Sequence, residues 1–331
     1  MLIGGIDEAG YGPMLGPLCV AMTAVRVQGW DSERTPDLWS LLETGVCRKP
    51  GRGGASDAAG RVAVADSKQI KLSNSVTTTH PLVHLERGVL AFLSHQDGAP
   101  PETDHALFVR LGTTPPTHAA YAGEATMLPV ALDAASIGIA TNILGRALNR
   151  ANVTLADARC VCVPEARFNA IVRETQNKGE TTAGAIGEHL RRFVGLVEPG
   201  ERAGIVCDRL GGRAAYAGLL RRELGVDEVE VIEESATRSR YLVHHPKGRL
   251  GIAFLTEGES AHLPVALASM IAKYVRELAM LRFNAYWGER AAGAHIELKP
   301  TAGYASDAKR WLHEAAAILT PDDRLALVRI A

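Results

Sequence analysis

The 331-residue sequence has few aromatic residues, 5% Phe, Trp and Tyr, and almost no net charge, with 36 Lys and Arg against 37 Asp and Glu. That balance excludes a protein that coats nucleic acid by bulk charge. It leaves room for an enzyme with a local basic groove, because phosphate contacts need only a handful of cations. No apolar run approaches the roughly 18–20 residues needed to cross a bilayer, so no membrane span is expected. The opening MLIGGIDEAGYG has no basic stretch followed by an apolar core, so no secretory signal is read and a cytoplasmic location is expected. Five cysteines (Cys19, Cys47, Cys160, Cys162 and Cys207) include no C-x-x-C pair. Cys160 and Cys162 alternate on an expected strand and read as small apolar residues kept reduced, rather than as zinc ligands or a disulfide. The chain does have 47% hydrophobic and 22% charged residues, the composition of a folded globular protein.

Pattern and turn signals alternate between strand and helix. Residues 2–7 form a short apolar strand, 8–17 a glycine-rich connection and 18–27 a long β-prone run, together a hairpin or tight strand pair. Residues 29–60 mix Pro, Gly, Arg and Ser without a period and read as a flexible insertion, with Arg48, Lys49 and Arg52 as solvated charges. Residues 62–65 predict a strand, 81–93 a helix and 98–118 a polar, proline-rich connection. Helical spacing follows over 126–150, then a strand at 159–163 and helices at 165–175 and 182–197. Residues 204–207 form an apolar strand ending at Asp208. A helix over 213–224 and a strand at 229–232 complete what resembles a β-α-β unit. Residues 239–245 and 250–256 flank Pro246-Lys247-Gly248 as a hairpin, a long helix runs over 262–283, and the end is helical over 306–319 and 321–330. No repeat or interdomain linker is visible. The expectation is one α/β domain over 1–331, with insertions near 29–60, 95–125 and 209–250.

Carboxylates cluster at the ends of these elements. Asp7 and Glu8 stand where a strand ends and a glycine turn begins, and neighbouring strand residues face one site only if the chain bends there. Gly10 and Gly12 supply that freedom. Asp208 ends a second apolar strand, the position where open α/β sheets bind ligands. Glu259 precedes the long helix. Singly, an Asp-Glu pair at a turn is solvated or a helix cap more often than catalytic. Converging, four carboxylates repel unless cations neutralise them, and hard divalent ions with oxygen ligands do so. Two such ions about 3.5–4 Å apart can activate a water and stabilise the leaving oxygen of a phosphodiester.

Residues 5–17, GIDEAGYGPMLGP, resemble the opening signature of type 2 ribonucleases H (ribonucleases HII and HIII). Asp66-Ser67-Lys68 is similar to that family's D-S-K element, with Leu72-Ser73 delayed by two residues. Gly258-Glu259-Ser260, Pro264 and the run Ala268-Ser269-Met270-Ile271-Ala272-Lys273-Tyr274-Val275-Arg276-Glu277 resemble its acidic turn and following helix, and Gly303-Tyr304 a later G-Y element. The four matches keep their order over nearly the whole chain. The resemblance implies a ribonuclease H-like fold, with a central mixed sheet flanked by helices. It also implies hydrolysis at ribonucleotides in RNA–DNA hybrids or in DNA duplexes that contain them, with Asp7, Glu8, Asp208 and Glu259 as catalytic ligands of Mg²⁺ or Mn²⁺, two ions in all.

Three features depart from the family pattern. Tyr11 replaces a basic residue, the usual D-G is Asp208-Arg209 followed by Leu210-Gly211-Gly212-Arg213, and the interval from Asp208 to Glu259 is several times the usual one. Around the acids, Gly10, Tyr11 and Gly12 are expected to present backbone donors to a ribose 2′-hydroxyl and phosphate. Ser67 and Lys68 are read as phosphate contacts, Tyr304 as a stacking ring, and Lys273 as a backbone contact sharing a helical face with Ser269 and Arg276. Surface packing competes evenly for Tyr304, Lys273 and Arg276. Arg238, Arg240, His244, His245, Lys247 and Arg249 form the strongest basic cluster, either lining an incoming strand or decorating a solvated hairpin. His262 reads as packed or solvated. The leading expectation is therefore a nuclease acting on a nucleic acid duplex. Its rivals are a nuclease of the same fold acting on other structured DNA, and a non-catalytic duplex-binding module, which would gain nothing from uncompensated acid.

Overall fold

The computed structural model describes residues 1–32, 34–51, 57, 59–211 and 213–330. Of the glycine-rich run at 51–54 only Gly51 is therefore described, and Arg52 and Gly212 lie outside the described residues. In chain order come β1 (Leu2–Ala9), β2 (Leu18–Val27), α1 (Leu38–Leu41), β3 (Val46–Cys47), β4 (Val62–Ala63), α2 (Ser67–Ile70), α3 (Val83–Asp97), α4 (Asp104–Arg110) and α5 (Ala134–Arg150). Then follow β5 (Val153–Val163), α6 (Glu165–Thr175), α7 (Gly179–Leu196), β6 (Ala203–Asp208), α8 (Ala217–Leu224), β7 (Val229–Glu234), β8 (Arg238–His245) and β9 (Gly248–Leu255). The chain ends with α9 (Gly258–Ala261), α10 (Leu263–Gly293), α11 (Ala305–Glu314) and α12 (Pro321–Leu327).

The architecture is a mixed α/β fold around a seven-stranded sheet of order β5-β2-β1-β6-β9-β8-β7. β1 pairs antiparallel with β2 and parallel with β6, which in turn pairs parallel with β9. Strands β1 and β2 are buried on both faces, so their sequences run apolar without strict alternation. One face carries α3, α5 and α10, whose Leu90, Leu144 and Leu267 share a core with Ile3, Ala21 and Val25. Phe168, Ile186, Phe193 and Leu220 from α6, α7 and α8 cover the other face at Ile6, Val20 and Ile205. No helix of the described residues is long and apolar enough to cross a membrane.

Several expectations need correction. The span read as a flexible insertion contributes buried Leu38, Trp39, Leu42 and Val46 to the main core, because its few apolar side chains find a hydrophobic surface to cover. The helix expected over 126–150 begins at Ala134, where Asp133 caps it by accepting from Ser136 N–H at 2.6 Å. The polar connection at 98–118 contains α4. β6, α8 and β7 do not form an adjacent β-α-β unit: the β8–β9 hairpin lies between the two strands, because β9 takes the parallel position beside β6.

One contact sets the position of the longest helix. A Cβ built on Gly5 would lie 2.1 Å from the backbone nitrogen of Val265 and 2.2 Å from the carbonyl carbon of Pro264, so the start of α10 rests on bare β1 backbone. Thr23 on β2 donates to the Pro264 carbonyl at 2.7 Å and fixes the same turn. Since the interfering atoms are backbone, Gly5→Ala is expected to cost at least about 2–3 kcal/mol as overpacking. Gly218→Ala, on an exposed helical position with nothing within 4 Å, is expected to be neutral or slightly stabilising. Urea unfolding of the two variants checks this, and equal midpoints would contradict the close approach.

Candidate active site

The first two acidic residues lie where strand pairing becomes one-sided. β1 stays paired with β2 through Ala9↔Cys19, but its register with β6 stops at Ile6↔Cys207. Asp7 and Glu8 therefore sit on a stretch with no registered partner on the β6 side. Asp208 ends β6 next door, paired with Leu255 of β9. Carboxylate oxygens of Asp7, Glu8 and Asp208 all lie within 4.8 Å of one another. The bend expected at Asp7–Glu8 comes later, at Gly10 with φ 91°. Freedom on the β6 side, together with the extra methylene of Glu8, lets consecutive strand residues reach one point. Glu259 enters from α9, after Glu257 takes a left-handed turn at φ 57°. It lines the same cleft of about 620 Å³ but stands outside the closest trio.

This concentration of acid shows in the proton affinities. Burial pushes the Asp7 carboxyl well above its usual range, and Glu8 and Asp208 add to the effect, against hydrogen bonds from Ser269 and from the Glu8 N–H at 2.7 Å. Glu8 is raised to about 7 by burial and by Asp208, with Lys68 opposing. Asp208 is raised by burial despite backbone donors from Gly258 and Arg209, and Glu259 by burial and then by Asp208. The Lys68 ammonium is stabilised first by Asp66 and then by Glu259, Asp7 and Asp208. One lysine shared with Asp66 cannot neutralise four carboxylates. An all-oxygen donor set short of positive charge fits a hard divalent cation.

Beside the acids, the loop from Gly10 to Pro17 is held by residues remote in sequence. Arg329 donates to the Gly10 carbonyl at 2.5 Å and also to the Gly16 carbonyl. Arg276 donates to the Leu15 and Ala302 carbonyls at 3.0 Å each, while the Gly16 N–H donates to Glu165 at 3.0 Å. Met14 and Leu15 N–H both donate to the Gly303 carbonyl. A side chain on Gly10 would meet Arg276 Nε at 2.5 Å, so glycine is required there by space as well as by φ.

All of the expected surrounding residues line this cleft: Gly10, Tyr11, Gly12, Ser67, Lys68, Lys273 and Tyr304. The Ser67 and Ser269 hydroxyls are hydrogen-bonded at 3.0 Å, tying α2 to α10 under Asp7. Lys273 pairs with Glu277 at 2.5 Å and lies 5.7 Å from the Tyr304 ring. Arg276 is fully buried and donates to protein carbonyls, so it is neither a helix-surface residue nor a contact for a nucleic-acid backbone. The Arg238–Arg249 basic cluster is absent from the cleft lining: Arg238 pairs with Glu233, and Lys247 donates to the Gly195 carbonyl. His262 lines a separate, largely apolar cavity. Sequence reading quoted Asp66 and Ser73 only as parts of motifs and missed Lys71 in the lining, together with Glu165 and Arg329 on the adjoining glycine loop. The signal for Arg329 was a lone cation inside the apolar ending LALVRIA.

No protein-family model matches the chain, and no curated protein does either. Among solved structures it is similar to a ribonuclease HII from Archaeoglobus fulgidus, solved in complex with PCNA, at 14% identity and TM-score 0.47, covering 100% of this chain and 94% of that one. It is also similar to ribonuclease H2 from Pyrococcus horikoshii OT3, at 15% identity and TM-score 0.41 over 98% of this chain and 93% of that one. A third similar structure is Bst-RNase HIII in complex with Mn²⁺, at 15% identity and TM-score 0.40, covering 100% of this chain and 66% of that one.

The raised carboxyls make a pH-dependent prediction. A group that binds its proton more tightly folded than unfolded stabilises the fold below its unfolded value, and that contribution fades as pH rises. For Glu8 the window runs from the ordinary 4.5 up to about 7. A divalent ion competes with these protons. The thermal shift produced by Mg²⁺ or Mn²⁺ is therefore expected to be small at about pH 5 and to grow towards pH 8. Asp208→Asn should reduce the shift throughout and leave the metal-free protein more stable than wild type at the upper end. A metal-induced shift independent of pH would contradict the assignment.

Proposed function

We propose that the protein is a metal-dependent endonuclease that hydrolyses phosphodiester bonds at ribonucleotides, in RNA–DNA hybrids or ribonucleotide-containing DNA duplexes. One observation carries the reading: three carboxylates within 4.8 Å of one another, with a fourth in the same cleft and too little positive charge among them. Asp7, Glu8, Asp208 and Glu259 would hold Mg²⁺ or Mn²⁺, two ions in this reading. Bound there, divalent ions supply Lewis acidity that activates water and stabilises the departing oxygen. The substrate assignment is supported by the ordered motif resemblance.

The chain's own residues divide the remaining work. The Glu8 N–H, donating at 2.7 Å, orients the Asp7 carboxylate, and Ser269 and Gly258 lie close enough to Asp7 and Asp208 to offset part of the rise in their proton affinities. Positioned carboxylates that need not reorganise lower the cost of assembling the charged site. Gly10, Tyr11 and Gly12 border the acids on a loop pinned from behind. Their backbone can approach a ribose closely and distinguish a 2′-hydroxyl from hydrogen. Ser67, Lys68 and Lys273 provide donors for backbone phosphates, and the half-exposed Tyr304 ring offers a face for a sugar or base. We place this activity in the cytoplasm and treat residues 1–331 as one catalytic unit.

The test is cleavage of matched duplexes with Mg²⁺ or Mn²⁺: all-DNA, RNA–DNA hybrid, and DNA carrying one ribonucleotide. Cutting is expected only where a ribonucleotide is present. Equal cutting of all-DNA structures would favour a nuclease of the same fold with another substrate, and tight binding without cutting would favour a binding module. Asp7→Asn is expected to reduce turnover by a factor of at least about 10²–10³, the scale of losing one preorganised electrostatic group. Because it relieves repulsion, the metal-free fold should remain intact by thermal unfolding. Near wild-type turnover in that variant would exclude Asp7 as a ligand.

A further inference from the structure

Just beyond Tyr11, outside the residues that line the cleft, Lys178 stands without a counter-ion. Lys178 precedes α7, half-buried, with Nζ 5.1 Å from the centre of the Tyr11 ring and 5.8 Å from that of Phe168. Among the described residues no carboxylate comes within 4.0 Å of this ammonium, and it makes no hydrogen bond. The lysines that line the cleft itself are engaged. Lys68 has Asp66 beside it, Lys273 is bonded to Glu277, and Lys71 is bonded to the Asn74 side chain at 2.5 Å.

Aromatic faces hold a cation in place without cancelling its charge. Phe168 carries a second cation as well, since the Arg329 guanidinium lies 4.7 Å from the same ring, with two of its donors committed to the Gly10 and Gly16 carbonyls. Burial and Arg329 together lower the pKa of Lys178, as expected for a charge that lacks an opposite partner. Tyr11 itself lines the cleft and feels the charge of Glu8, so its ring joins this ammonium to the edge of the cleft.

We infer that Lys178, steadied on the Tyr11 ring, is a phosphodiester contact just beyond the Tyr11 edge of the cleft and sets how the duplex is seated against the glycine loop. The inference rests on the reading of the protein as a duplex nuclease. It gives the neutral Tyr11 a role: its ring aims a lysine supplied by a different segment of the chain.

The experiment is a salt titration of binding to a labelled RNA–DNA hybrid duplex with Ca²⁺ in place of Mg²⁺. Wild type, Lys178→Met, Lys178→Arg, Tyr11→Ala and the Tyr11→Ala/Lys178→Met double variant are compared. Losing one phosphate contact should flatten the slope of log K against log salt by about 0.9 and weaken binding about 3–10-fold at low salt. Lys178→Arg should restore the slope, which a merely structural lysine would not require. Tyr11→Ala should weaken binding in the wild-type background and have little further effect once Lys178 is Met. Wild-type binding with an unchanged slope in Lys178→Met, or strictly additive effects of the two substitutions, overturns the inference and leaves the nuclease reading standing. Failure of the wild type to bind any duplex overturns both.

Discussion

The repulsion among Asp7, Glu8 and Asp208 is the constraint on which the rest of the structure depends. Three carboxylates with oxygens within 4.8 Å, Asp7 being almost fully buried, are an arrangement a fold does not reach for stability. In a low-dielectric pocket like charges interact far more strongly than in water, and the proton affinities rise accordingly. The fold holds them together through features placed for other reasons: parallel neighbours β1 and β6 ending side by side, and α10 lying on Gly5 so that Ser269 reaches Asp7. Electrostatic strain of this kind is relieved by protons or by a divalent cation. At neutral pH the cation is the more effective partner.

The same logic extends to the loop beside the acids. A glycine-rich turn is entropically costly to order, yet this one is tied down at Gly10, Met14, Leu15 and Gly16 by Arg329, Gly303, Arg276 and Glu165. Two buried guanidiniums spend donors on carbonyls of this one loop, a use of charge that rigidity at a binding site accounts for. Flexible glycines and a rigid loop are therefore compatible. Glycine admits the close approach, and the buried arginines remove the freedom it would otherwise bring.

Much of this was legible in the sequence because it is local. Strand β2 was readable from an unbroken β-prone run, the β8–β9 hairpin from Pro246-Lys247-Gly248, and the position of Asp208 from an apolar strand that stops at an acid, whereas β1 runs past Asp7 to Ala9. Helix starts were less legible: the apolar spacing of Leu128 and Leu132 mimics a helix that Asp133 only begins to cap. Tyr216 delays α8 because its ring stacks on Phe254 at 3.6 Å between centroids, a tertiary contact with no local signature. Glu165, Lys178 and Arg329 were invisible for the same reason. Each acts on the glycine loop from more than a hundred residues away, and spacing carries no trace of that. The basic hairpin was misleading because charge density along a strand does not reveal which carboxylates neighbouring strands bring to it.

The central claim is that this acid cluster exists to hold divalent metal. The most direct measurement is anomalous diffraction from crystals of the wild-type protein soaked in Mn²⁺, compared with Asp208→Asn crystals soaked in the same way. The account predicts anomalous density between the Asp7, Glu8 and Asp208 carboxylates in the wild type, and its loss or marked weakening in the variant. A fully soaked wild-type crystal with no density there, or with Mn²⁺ only at other carboxylates, would contradict it.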